Sequence, residues 1–294
     1  MPIIYKCPNC GAAMEFSSEL QKLECKRCGT SIDVKTYEDE YASLMEEVSG
    51  STSDNSDYGF NNSEQDNDTD NNMKIYHCQS CGAELVADEY TSATFCSYCG
   101  NPTLVEDRLK GSFRPKSIIP FKINKEQAAD IYKKWLKKGM LTPKELSRKS
   151  TIEKISGVYV PFWLYDYSAR TMMSANANKV RTTRRGDTEY TYTDHFDVYR
   201  DVSAEFKRIP ADASEKMPDE QMDMLEPYNY SEITDFAMPY LSGYLSEKYN
   251  YKADEIQSRA KKRADSYITQ IARDSITGYS SVIVRNNSIS MNGR

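Results

Sequence analysis

The apolar residues of this chain change period along its length, and each change marks an element. Between Asn124 and Gly139, Ala128, Ile131, Trp135 and Leu136 recur at helical spacing, which predicts a helix with Asn124 as N-cap and Gly139 as C′ glycine. Its apolar face is expected to pack on the domain's own sheet, with Lys133, Lys134, Lys137 and Lys138 on the other side. Thr142-Pro143 predicts the start of a short second helix. A long helix is predicted over Asp254–Asp274, with Ile256, Ala260, Ala264, Tyr267 and Ile271 on one face. Elsewhere the period is two. Val158–Arg170 is apolar and aromatic, and Lys179–Thr183 and Thr188–Tyr199 flank the turn Arg184-Arg185-Gly186-Asp187, the signature of a long hairpin. From Tyr190 to Val198 the large residues take even positions, so one face is expected to be buried and the other wet. Pro210–Asn229 reads as a loop with a short helix near Asp219–Leu225, and Val282-Ile283-Val284 as a late strand. The pattern predicts an α+β fold with a mainly antiparallel sheet.

One stretch has almost no apolar residue. Ser49–Asn72 is Ser, Asn, Asp and Gly, which predicts a flexible tether. Just before it, Tyr37, Tyr41, Leu44, Met45 and Val48 suggest a short helix over Thr36–Val48. Calcium is the competing use for the carboxylates of the tether. Yet Asp66–Asn72 lacks the glycine at position six and the glutamate at position twelve of an EF-hand loop. The expected organisation is therefore ribbon 1 at 1–35, an acidic flexible linker at 36–73, ribbon 2 at 74–106 and an α+β domain at 107–294.

The front of the chain holds its chemistry. The eight cysteines of the 294-residue sequence are Cys7, Cys10, Cys25, Cys28, Cys78, Cys81, Cys96 and Cys99. Cys-x2-Cys, 14 residues, Cys-x2-Cys occurs twice at an offset of 71, and Cys10-Gly11-Ala12 returns as Cys81-Gly82-Ala83. This is an internal duplication. Four thiolates in two such knuckles match a tetrahedral structural zinc site. A glycine after the second cysteine permits the positive φ that folds backbone N–H groups toward the sulfurs. Lys6, Lys26 and Arg27 offset part of the charge of a tetrathiolate. Two disulfides per module are the competing reading, and a chain without a secretion signal should stay reduced. Two zinc ions, one per four-cysteine site, are expected. With every position filled by cysteine, neither site has an opening for water or substrate, so both should be structural.

Cys7-Pro8-Asn9-Cys10-Gly11 with Cys25-Lys26-Arg27-Cys28-Gly29 resembles the TFIIB-type zinc ribbon. Two such ribbons ahead of an α+β domain containing Tyr159-Val160-Pro161-Phe162-Trp163 resemble a group of bacterial zinc-ribbon proteins. These are often labelled as relatives of the PriA replication-restart helicase, on the ribbon alone. Some resemble zinc-ribbon members of phage-shock-like envelope-stress operons, which implies a scaffold near the membrane. The ribbons cover about a quarter of the chain. Relatives carry a second Pro-x-Trp segment that this sequence lacks, which suggests a chain shortened at its C-terminus, with a membrane or partner element missing.

Charge then narrows the partners. The formal net charge is −6, from 38 basic and 44 acidic residues. Thr36–Met73 holds 11 acidic residues and no basic one. Ribbon 2 has one lysine against Glu84, Asp88, Glu89 and Glu106, and ribbon 1 has five basic residues against four acidic. A ribbon that grips phosphates should be basic, so the ribbons disfavour nucleic acid. Residues 107–294 carry 32 basic against 25 acidic residues, clustered at Lys133/Lys134/Lys137/Lys138, Lys179/Arg181/Arg184/Arg185 and Lys261/Lys262/Arg263. Such clusters suit phosphates or anionic lipid, or simply solvated faces. The 22 tyrosines suit interfaces and half-buried strands alike.

Catalysis finds no support. There is no Gly-x4-Gly-Lys-Ser/Thr, so the helicase label cannot be taken literally. His77 and His195, the two histidines, have no nucleophile beside them. No cysteine follows Cys99. No catalytic residue and no small-molecule substrate are expected. The N-terminus lacks a signal-peptide pattern and no apolar run approaches a membrane span, so a cytoplasmic location is expected, with peripheral attachment through partners. The expectation is a non-enzymatic adaptor that docks protein partners through tandem zinc ribbons. The alternative is a nucleic-acid-binding ribbon protein of replication or transcription.

Overall fold

The computed structural model describes residues 2–40, 73–105, 109, 114–139 and 143–293. The acidic tether Ser49–Asn72 lies outside them, as does 41–48 of the helix expected before it. The fold is α+β, with sheets that are antiparallel but for one strand pair. The chain forms two compact units: residues 1–161 with 217–249, and residues 162–216 with 250–294. It crosses between them three times. The boundary expected near residue 107 does not appear in this division, because the region after the ribbons contributes to both units.

Unit 1 contains strands β1 (Pro2–Ile3), β2 (Glu15–Ser17), β3 (Lys22–Glu24), β4 (Ser31–Ile32), β5 (Met73–His77), β6 (Glu84–Asp88), β7 (Thr91–Phe95), β8 (Pro102–Val105), β9 (Ser117–Ile118), β10 (Val158–Tyr159), β13 (Thr234–Asp235) and β14 (Leu245–Glu247). Helix α1 covers residues 34–40; α2 is Lys125–Leu136, α3 Lys149–Ile152 and α4 Asp219–Met224. A five-stranded sheet runs β1-β8-β7-β14-β10. Its first pairing, Ile3 opposite Leu104, joins the two cysteine modules through backbone. Successive residues then serve different cores, as strand alternation requires. Ile3 and Tyr5 enter a core with Met14, Phe16, Leu23, Val34, Tyr240 and Leu241. Ile4 packs with Cys78, Leu85 and Cys96.

The first core draws on residues far along the chain. Phe16 meets Tyr240 edge-on with centroids 5.1 Å apart, and the Ser242 hydroxyl donates to the Met14 carbonyl at 2.7 Å. Phe121 stacks on Tyr244 at 4.6 Å, with Tyr159 edge-on to both. Burial, the leading cause, pushes the Tyr159 phenol well above its ordinary pKa.

Helix α2 starts as expected: Asn124 caps it and Gln127 completes a capping box. It ends at the cap Lys137, two residues before the glycine expected to close it. Its burial departs further from expectation. Of its residues only Leu136 is buried, while Ile131 is 53% and Trp135 63% exposed. Of the expected apolar face, Leu136 is buried and Ala128 half-buried, while Ile131 and Trp135 are left outside the packing. Pro143 precedes the short helical turn Lys144–Ser147.

Unit 2 is built on the hairpin of β11 (Phe162–Arg185) and β12 (Thr188–Asp212), with β15 (Ser281–Gly293) pairing along β11. The turn lies where the sequence puts it, and the strands run much further on each side. Odd residues of β11 from Tyr165 to Ala177 are buried beneath helix α5 (Ala253–Asp274). The buried stripe of α5 is Ile256, Ala260, Ala264, Ile268 and Ala272, so Tyr267 and Ile271, expected on it, are partly exposed. A repeat of four residues drifts around a helix of 3.6 residues per turn, which lets the stripe follow a twisted sheet. At one end Arg259 pairs with buried Asp212 at 2.7 Å. At the other, the hairpin outruns the helix. Tyr190, Tyr192 and Phe196 stay exposed, so the buried face expected over Tyr190–Val198 is confined to Val198.

Candidate metal centres

Each cysteine knuckle is a tight turn made by backbone. Gly11 N–H donates to the Cys7 carbonyl at 2.9 Å and Cys7 N–H to the Ala12 carbonyl at 2.7 Å. The same pair of bonds recurs around Cys25, Cys78 and Cys96, at 2.8 to 2.9 Å. Gly11, Gly29, Gly82 and Gly100 have φ of 69°, 76°, 73° and 73°. A Cβ at any of them would meet nothing within 4 Å, so the left-handed backbone, not space, selects glycine.

The four knuckles assemble into two clusters. Cys7, Cys10, Cys25 and Cys28 form one, and Cys78, Cys81, Cys96 and Cys99 the other, with all sulfurs of a cluster within 4.8 Å of one another. Cys7 and Cys28 sulfurs are 3.5 Å apart, as are those of Cys10 and Cys25. The equivalent pairs of the second cluster lie at 3.7 Å. Four thiolates at about 2.3 Å around one tetrahedral ion stand roughly 3.8 Å apart. A disulfide would need about 2.05 Å, and all eight cysteines are free. Both clusters therefore fit a single metal ion held by four sulfurs. All eight ligand residues read from the sequence are brought together. His77 is exposed, and among the described residues neither histidine joins a metal-holding group.

Within each knuckle the first cysteine is buried and the second lies nearer solvent. The thiols are driven apart in acidity. The Thr30 hydroxyl, followed by the Thr30 N–H, lowers Cys28 to about 6. The Cys99 N–H lowers Cys96 to about 7. For Cys10 the Ala12 N–H pulls downward, but burial and the sulfurs of Cys25, Cys28 and Cys7 outweigh it and push the thiol to about 12. Cys99 is pushed to about 12 in the same way, against the pull of the Asn101 N–H. Four thiolates so close need a cation between them. Lys26, expected to supply part of that charge, instead pairs with Glu15.

A second set of residues escaped the sequence reading. Asn9 Nδ2 donates to Thr30 Oγ1 at 2.8 Å, tying the two knuckles of the first site. Asn101 Nδ2 donates to Ser80 Oγ at 2.6 Å in the second. Positions 9 and 80 are 71 apart, and so are 30 and 101. The duplication kept the bond and exchanged its donor and acceptor sides. The offset already visible in the cysteines was the signal that could have found it.

Remaining candidates stay apart. His195 is exposed, with Nδ1 2.7 Å from Asn178 Oδ1. Its neighbour Asp194 turns instead to Arg181 at 2.9 Å, so no base–carboxylate pair forms. Among the described residues no helix is long and apolar enough to cross a membrane.

The fold and sites define a protein with a duplicated four-cysteine metal-binding module set in an α+β frame. Over 289 residues the chain is 41% identical to "Uncharacterized protein YdjG" of Bacillus subtilis (strain 168), covering 98% of this chain and 78% of that protein. It belongs to the YdjG family. No family model and no solved structure matches it.

Proposed function

We propose that the protein is a non-enzymatic adaptor whose two ribbons, each held by one zinc ion, present a fixed surface to protein partners. Zinc suits the donor set: four cysteines, tetrahedral spacing and no position left for substrate. The ribbons belong to the TFIIB type on this reading. The observation that carries the docking role is on the second ribbon. Ile75 and Val86 face each other across β5 and β6 and are 63% and 62% exposed, while their neighbours Tyr76 and Leu85 turn to the metal core. Tyr98, between Cys96 and Cys99, is exposed as well. A metal-stiffened hairpin with an outward β-branched pair loses little entropy on binding, and exposed aromatic and aliphatic anchors are the residues that protein interfaces bury.

Two measurements test this. Elemental analysis of the purified chain should return two zinc ions per molecule, and one ion or iron would sink the metal assignment. Capture of the tagged chain from gently lysed cells, run beside Cys78→Ser/Cys81→Ser and Ile75→Ser/Val86→Ser variants, tests docking. A defined protein lost with both variants supports the adaptor. Salt-labile nucleic acid retained by all three proteins would replace it with the alternative.

A further inference from the structure

The feature without a role so far is the exposed flank of α2. Ile131, Lys134, Trp135 and Lys138 occupy i, i+3, i+4 and i+7 positions and form one stripe along the helix, so Lys134 and Lys138 flank the apolar groups and do not oppose them as expected. All four are exposed, with Trp135 at 63%. The Trp135 ring is steadied by Tyr132, stacked at a centroid distance of 6.1 Å and an interplanar angle of 24°. Ile123, one residue before the helix cap, and Leu146, in the turn Lys144–Ser147, are also exposed. The same stretch of sequence is rich in positive charge. Residues 122–154 hold ten basic residues and four acidic ones, a net of +6. The rest of the chain holds 28 basic against 40 acidic, a net of −12. A net-positive stretch of an otherwise acidic chain thus carries the exposed indole and aliphatic groups.

We propose that this surface docks on an anionic lipid bilayer, with α2 lying in the plane of the headgroups. The chemistry is complementary in each part. An indole prefers the headgroup boundary, where its ring is shielded and its N–H stays hydrated. Ile131, Ile123 and Leu146 are saturated side chains that gain by leaving water for acyl chains. Lysines beside them reach up to phosphates while their stems stay apolar. A single-stranded nucleic acid would use the Trp135 ring and the lysines but leave the aliphatic groups unpaired, since bases stack on π faces. The apolar set favours lipid. This goes beyond the docking role of the second ribbon and involves none of its residues.

The test uses the full chain. Wild-type protein is sedimented with vesicles of phosphatidylglycerol and phosphatidylcholine at 3:1, and with phosphatidylcholine alone. Expected are binding to the anionic vesicles, a fall in binding with salt, and none with phosphatidylcholine. Lys134→Glu/Lys138→Glu should weaken the association at least roughly tenfold. Trp135→Ala should weaken it further, with unchanged far-ultraviolet circular dichroism. In a Trp163→Phe background Trp135 is the sole indole, and its emission should shift to the blue on anionic vesicles. Trp163 donates to the Tyr251 carbonyl at 2.8 Å, so if that variant misfolds the sedimentation series still decides. Equal binding to both vesicle types, no binding, or indifference to the lysine reversal would overturn the proposal. Tighter binding of a single-stranded oligonucleotide at the same salt, competing with vesicles, would reassign the surface to nucleic acid.

Discussion

The two ribbons share a sequence pattern, four identical knuckle turns and a bridging side-chain bond, yet they are built into the molecule differently. The first has Tyr5, Met14, Phe16, Leu23 and Val34 in the large core of unit 1. The second gives that core only Ala93 and Leu104, packs Cys78, Leu85 and Cys96 with Ile4 borrowed from the first module, and turns Ile75 and Val86 outward. Duplication copied the metal-holding part, whose demands are local. The surroundings diverged, because a ribbon of about 30 residues has little core of its own and takes what its neighbours offer. One copy was recruited as a foundation. The other kept a free face.

Removing metal breaks this comparison most severely. Cys7→Ser/Cys10→Ser should forfeit much of the ~10 kcal/mol of a structural zinc site and, through Cys7 and Cys25 in the shared core, loosen amide protection throughout unit 1. Cys78→Ser/Cys81→Ser should expose β5 and β6 and leave the Phe16–Tyr240 contact protected, since β7 and β8 keep Ala93 and Leu104 in that larger core. Hydrogen exchange read by mass spectrometry distinguishes the two, and equal loss in both variants would mean that the cores are not separate. Protection of residues 162–216 and 250–294 should survive either change.

Acidity comes next. Cys10 and Cys99, held at about 12 without metal, keep their protons at neutral pH and must lose them to bind. Metal affinity should therefore rise with pH, about tenfold per unit for each proton displaced. In the second site Cys81 is raised as well, so in a competition titration with a chromogenic chelator its slope should be at least as steep as that of the first. Smaller changes sharpen the likeness of the sites. Gly29→Ala and Gly100→Ala force alanine into left-handed backbone and should each cost about 1–2 kcal/mol, seen as lowered thermal midpoints. Asn9→Ala and Asn101→Ala each remove a cross-knuckle bond and should cost about 1 kcal/mol in stability, with metal affinity reduced about tenfold. The least effect belongs to Ile75→Ser/Val86→Ser, within about 0.5 kcal/mol on stability, although docking should be lost.

How far the sequence was legible follows from whether a demand is local. The cysteine spacing, the knuckle glycines, the hairpin turn at Gly186 and the Asn124 cap are all set by neighbours within a few residues, and each was visible. What required distant partners was not. Nothing around Ile3 announces Leu104 as its strand partner, and nothing around Phe16 announces Tyr240. The period of α2 suggested a buried Trp135, since a hydrophobic repeat reports amphipathicity and not which face finds a partner. On α5 the expected stripe held through Ala264 and then turned to Tyr267 and Ile271, whereas the buried face continues in steps of four to Ile268 and Ala272, a drift that only the sheet beneath it decides. The hairpin beyond Val198 kept the alternation of a half-buried strand after the helix above it had ended.

The pairing of Ile3 with Leu104 also has a consequence for synthesis. The first module leaves the ribosome first, but β1 has no partner until β8 has been made, and Phe16 waits longer still for Tyr240. At roughly 5–20 residues per second, the earliest-made part of unit 1 spends on the order of 10 s or more with Ile3, Ile4 and Phe16 uncovered. During that interval the knuckles alone can close, since they need only local backbone and an ion. The metal then acts as an early anchor, holding the start of the chain in shape until its last strands arrive.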